Sequence, residues 1–136
     1  MPTNLLLLPQ LTASFDWSCG DDVLDAIEFV VAPASTTPLS IAGIEFEATL
    51  SRAIDSPAVA RMSTANGFLV NGGANGILSF AVPGERPSTD APALCTARLT
   101  PGSYVMGLIA RADGKSVNLF LASGPATVTL AQKVGA

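Results

Sequence analysis

The sequence predicts an all-β fold, a sandwich or barrel built from about 7–9 short strands. Three observations lead there. Turn-forming residues recur at short intervals: Gly20-Asp21, Pro33, Pro38, Gly43, Pro57, Asn66-Gly67, Asn71-Gly72-Gly73, Asn75-Gly76, Pro83-Gly84, Pro101-Gly102, Asp113-Gly114 and Gly124-Pro125. The runs between them are short and carry β-branched and aromatic residues, the types that fit a pleated surface. The chain is also apolar, with 49% hydrophobic residues, 13% charged residues and a mean hydropathy of +0.45. Soluble domains usually carry about 25% charged residues, so this composition excludes a disordered tail. The 136 residues suit a single domain spanning 1–136, with 1–10 as an N-terminal arm and 132–136 as a flexible tail.

Each element follows from local pattern. In Asp22 to Val31, the set Val23, Leu24, Ile27, Val30 and Val31 fits a helical face capped by Asp21 or Asp22. It also fits a strand through Val23, Ile27, Phe29 and Val31, the reading favoured by Phe29-Val30-Val31 and by Pro33 closing the run. Ile44 to Arg52 is the clearest strand. Ile44, Phe46, Ala48 and Leu50 alternate with Glu45, Glu47, Thr49 and Ser51, the period of two of a half-buried strand. Gly76 to Val82 alternates Leu78, Phe80 and Val82 against Ile77, Ser79 and Ala81. A short helical turn is the alternative to loop at 91–97. Tyr104 to Arg111 and Lys115 to Ala122 flank Asp113-Gly114, a dipeptide suited to a tight hairpin. Thr127 to Leu130 supplies the last strand.

Charge and residue content narrow the function classes. The net charge is −4, and the seven basic residues are scattered with no two adjacent. No stripe exists to neutralise phosphates or anionic lipid, so neither nucleic acid nor a membrane surface is expected as partner. Met62 to Gly84 is uncharged and long enough to cross a bilayer, but its asparagines, glycines and Pro83 mark turn-rich β structure. The chain begins without a basic residue, and Leu5 to Leu8 is too short for a signal peptide. Without histidine, Ser-His-Asp and Cys-His arrangements are excluded, and Lys115 is expected in the open beside a hairpin turn. The glycine-rich stretches lack the Gly-Lys-Ser/Thr element of a phosphate cradle. Asp21, Asp22, Asp25 and Glu28 match no calcium loop and read as a solvated edge or turn. Glu45 and Glu47 share a strand face as ordinary polar alternation. No catalytic residue, cofactor or metal is expected. Cys19 and Cys95 read as two buried free thiols, pairing between them being the alternative.

Leu99-Thr100-Pro101-Gly102-Ser103-Tyr104 is the most informative segment. In sandwich domains, a tyrosine at the start of a late strand bonds back to the backbone a few residues upstream and staples a corner. Tyr104, the chain's one tyrosine, follows the Pro101-Gly102 turn. A buried Leu99 and a bond from the Tyr104 hydroxyl to the preceding turn are therefore expected.

Four pieces in order resemble a group of small phage virion proteins related to the N-terminal domain of upper-baseplate proteins of the BppU type. They are Gly20-Asp21-Asp22 before an apolar strand, Pro38 to Gly43 leading into Ile44 to Arg52, Leu99 to Tyr104, and the closing hairpin around Asp113-Gly114 with Gly124 and Val128. The likeness spans about residues 15–130. The chain departs from the group at Gly107, where an acidic residue is usual, and at Ile41, which replaces a commoner Leu-Thr pairing. The resemblance implies an immunoglobulin-like antiparallel β-sandwich serving as a structural module of a tail, baseplate or head. Its partners would be copies of itself and other virion proteins, in a particle assembled in the host cytoplasm. The apolar arm Leu5, Leu6, Leu7 and Leu8, bracketed by Pro2 and Pro9, is the candidate interface, docking on a neighbouring subunit or on its own sheet edge. The rival expectation is a ligand-binding sandwich for carbohydrate or receptor, which would need exposed aromatic platforms.

Overall fold

The computed structural model describes residues 8, 13–31, 37–54, 56–84, 96, 99–120 and 126–132. Nine strands are present among them: β1 (Ser14–Ser18), β2 (Ala26–Glu28), β3 (Glu45–Ser51), β4 (Ala58–Ser63), β5 (Leu69–Asn71), β6 (Ile77–Phe80), β7 (Gly102–Ala112), β8 (Lys115–Asn118) and β9 (Ala126–Ala131). Helical geometry among the described residues is confined to one 3-10 turn, Gly73–Asn75, and to Thr96. The fold is all-β and sandwich-like.

The larger sheet has the order β1-β9-β7-β3-β4, with β8 also on β7. β7 is long enough to take β9 along Gly102–Met106 and β8 along Ile109–Ala112 on one side, and β3 on the other. The second sheet is β2-β6-β5. Alternation sets which faces meet. Phe46, Ala48 and Leu50 of β3, Tyr104, Met106, Leu108 and Ala110 of β7, and Ala126, Val128 and Leu130 of β9 are all buried. Leu69, Leu78 and Phe80 supply the opposing layer. Aromatic rings span the gap: Phe80 meets Phe15 and Trp17 edge-on at 5.4 and 5.7 Å, and Phe29 stacks on Phe46 at 5.9 Å.

The hairpin between β7 and β8 forms at Asp113-Gly114, whose φ values of 54° and 74° make the two-residue turn matched to strand twist. At the other end of β3, pairing with β4 slips between Leu50 and Ser51, leaving Val59 as the extra residue of a bulge.

Several expectations are corrected. One pair is not antiparallel: β1 runs parallel to β9, from Ser14 opposite Thr127 to Ser18 opposite Ala131. Strands so distant in sequence are free of the direction a hairpin imposes. Of the strand expected over 22–31, only Ala26–Glu28 is regular. Val23 and Phe29 point inward as expected, but Val31, whose N–H bonds Thr37 O beside the Val30–Pro38 bridge, is 55% exposed. The strand expected to run from Lys115 towards Ala122 ends at Asn118. Leu119 N–H then bonds Leu108 O, and Leu119 and Phe120 are buried. Leu99 and Cys19 are half-buried, packed against the core rather than within it. Of the turn expected at 91–97 only Thr96 is described. Cys95, the tail from 133 onward, and the arm apart from Leu8 lie outside the described residues.

Candidate functional site

The Leu99–Tyr104 segment is built around an arginine. The Tyr104 hydroxyl donates to Thr100 O, four residues upstream. The ring, 3% exposed, closes the end of the inner face of β7. Arg52, just past the end of β3, lies over that ring with its guanidinium carbon 4.2 Å from the centroid. Its Nη2 donates to Thr100 O and Pro101 O at 3.4 and 3.3 Å, and its Nη1 to Ser103 O at 3.3 Å. Three carbonyls of one turn thus converge on a planar five-donor group. Gly102 makes room: its φ is 141°, and a Cβ there would run into Arg52 Nη1. Pro101, Gly102 and Tyr104 thus meet in one corner, whereas Leu99 bonds Thr96 O through its N–H and faces Cys19 Sγ; the residue missing from the sequence reading was Arg52. Its signal was present, since it ends the strand segment Ile44 to Arg52, but nothing in strand periodicity shows where a terminal arginine turns.

A second constellation joins three distant segments through Thr96, which is fully buried. Its hydroxyl donates to Asp21 O at 2.8 Å and accepts from Gly20 N at 3.0 Å, while its N–H bonds Pro83 O at 3.0 Å. The acidic residues around it are split among separate jobs. Asp22 Oδ1 accepts from Gly84 N at 2.7 Å, and Asp25 Oδ2 accepts from the Trp17 indole at 2.7 Å. Asp21 and Glu28 face solvent. Among the described residues, no three carboxylate or thiol groups gather as metal ligands would. Cys19 is a free thiol, its Sγ 3.5 Å from Leu99 O.

A third constellation attaches the small sheet. Asn71 Nδ2 donates to Ile41 O and Ile44 O, both at 2.8 Å, and its Oδ1 accepts from Gly73 N at 2.7 Å.

At the hairpin end, an open groove of about 510 Å³ is lined by Glu45, Arg111, Asp113 and Lys115 among others. Glu45 and Glu47 do share a strand face, and Glu47 pairs with Arg111 at 3.5 Å. Two carboxylates and two cations alternate there in the open, an arrangement that screens itself. Of the candidate interface Leu5–Leu8, Leu8 is half-buried and packs against the core. Leu5, Leu6 and Leu7 lie outside the described residues. Elsewhere large aliphatic side chains face outward: Leu24 is 90% exposed, and Val31, Ile54, Val59 and Val70 are between 50% and 55% exposed. No helix among the described residues is long and apolar enough to cross a membrane.

Compared with models of known protein families and with curated proteins, the chain matches none.

Proposed function

We propose that this chain is a non-enzymatic structural component of a phage virion, in a tail, a baseplate or a head-attached accessory. It would act through contacts with copies of itself and with other virion proteins, and would reside in the virion after assembly in the host cytoplasm. One observation carries the reading. A chain with 13% charged residues leaves five large aliphatic side chains at least half in the open among its described residues, apolar surface that protein neighbours could cover. The resemblance of its strand and corner segments to virion proteins supplies the setting. The polar groups that stand out, Arg52, Thr96, Asn71, Asp22 and Asp25, are spent on backbone and ring contacts within the fold. Sugar recognition is disfavoured because every aromatic ring except half-buried Phe68 is buried, so stacking platforms are wanting.

Light scattering on the purified full chain, with and without residues 5–8, tests the proposal. Self-association that weakens on deletion of Leu5–Leu8 is the expected result. A stable monomer at all concentrations, indifferent to the deletion, would overturn the assembly reading.

A further inference from the structure

The chain contains three Asn-Gly pairs, at 66–67, 71–72 and 75–76. In this dipeptide the glycine nitrogen has no side chain beside it to hinder attack on the preceding side-chain amide. All three asparagines accept a hydrogen bond at Oδ1 from the N–H two residues on: Phe68 N at 3.0 Å, Gly73 N at 2.7 Å and Ile77 N at 2.9 Å. Local sequence and local turn are therefore alike, and any difference in reactivity comes from the fold.

Two of the pairs are held. The nucleophile at 71–72, Gly72 N–H, is committed to Ile77 O at 2.8 Å, and both hydrogens of the Asn71 amide are bound to carbonyls. At 75–76 the Gly76 N–H is bound to Gly73 O at 3.1 Å, and Gly76 is buried against Phe29 O and Leu39 O. The pair at 66–67 differs at the attacking nitrogen. No described group accepts from Gly67 N–H, both residues are exposed, and nothing lies within 4 Å of where a Gly67 Cβ would be. Asn66 Oδ1 also takes a second backbone donor, Ser63 N at 2.9 Å. Two N–H groups thus point at the oxygen that becomes negative when its carbon is attacked, and such donors bind an oxyanion more strongly than a neutral carbonyl. Among the described groups, the departing nitrogen is held by Arg61 O alone, at 3.3 Å.

From this geometry we propose that Asn66-Gly67 is a self-modification site, where the turn between β4 and β5 promotes deamidation through a cyclic imide. Gly67 N gives its proton to solvent hydroxide and bonds to Asn66 Cγ, the charge passing to Oδ1 between the Ser63 and Phe68 N–H groups. The Cγ–Nδ2 bond breaks, and Nδ2 takes a proton from water and leaves as ammonia. Water then opens the ring at Cγ to give aspartate, or at the Asn66 main-chain carbonyl to give isoaspartate. No electrons are transferred, and water is the only co-reactant.

The test is peptide mapping by mass spectrometry of the full chain aged at mildly alkaline pH, folded and in urea. In the folded protein Asn66 converts about tenfold faster or more than Asn71 and Asn75, equivalent to about 1.4 kcal/mol in barrier. In urea the three rates converge. Equal rates in the folded chain, a folded-state order led by Asn71 or Asn75, or the same Asn66 lead in urea would each overturn the proposal.

Discussion

In the six-stranded sheet, β7 runs eleven residues and, like β3 and β9, bonds along both sides, whereas no strand of the three-stranded sheet exceeds four. The larger sheet spreads its stability over ladders and a continuous apolar face. The smaller one is too short for that. It is secured by Asn71 reaching Ile41 O and Ile44 O, by Ile41 N–H on Gly73 O, and by Phe29 and Phe80 crossing to the opposite layer. One layer is held by many interchangeable contacts and the other by a few specific ones.

The sharpest way to break this comparison is at a contact both layers share. Phe46→Ala removes a ring that is 1% exposed and stacked on Phe29. We expect a loss of about 3–5 kcal/mol in denaturant unfolding, with both layers lost together; separate transitions would show that the layers are independent. Asn71→Ala discriminates between the layers. It leaves Ile44 O and Gly73 N–H without the Asn71 side chain and Ile41 O with Ile44 N–H alone, and should cost about 1–3 kcal/mol. Hydrogen exchange should accelerate over residues 69–80 while β3 and β7 keep their protection, and uniform acceleration would contradict the picture. The smallest effect belongs to the corner of the larger sheet. Tyr104→Phe keeps the ring beneath Arg52 but deletes the bond to Thr100 O, for a loss of about 1 kcal/mol. A melting temperature unchanged within error would mean that Arg52 alone holds the turn.

The same contrast explains what could be read in advance. β3 was legible because Phe46, Ala48 and Leu50 must all face one way, and the β7–β8 hairpin because Asp113-Gly114 suits positive φ at both positions. The second layer was only partly legible. Leu78, Phe80 and Val82 announce their burial, but Val23 to Val31 mixes a three-residue strand with irregular stretches tied by Val23 N–H to Val82 O and Phe29 N–H to Gly76 O. Such bonds use backbone atoms and leave no periodic mark. The parallel direction of β1 was invisible for a related reason, since alternation of side chains is the same whichever way a strand runs. In the corner, Tyr104 and the Pro101-Gly102 turn were legible from their residue types, whereas Arg52 there, like Thr96 in its separate cluster, acts through distant carbonyls that spacing cannot reveal.

The parallel pairing of β1 with β9 has a mechanical consequence. A load pulling backward on the chain before Ser14 and forward on the chain after Ala131 acts along the strand axis in opposite directions. Five register positions, Ser14–Thr127 to Ser18–Ala131, then share the shear at once. An antiparallel partner loaded the same way would peel open one bond at a time. Tension through this module meets its strongest geometry first.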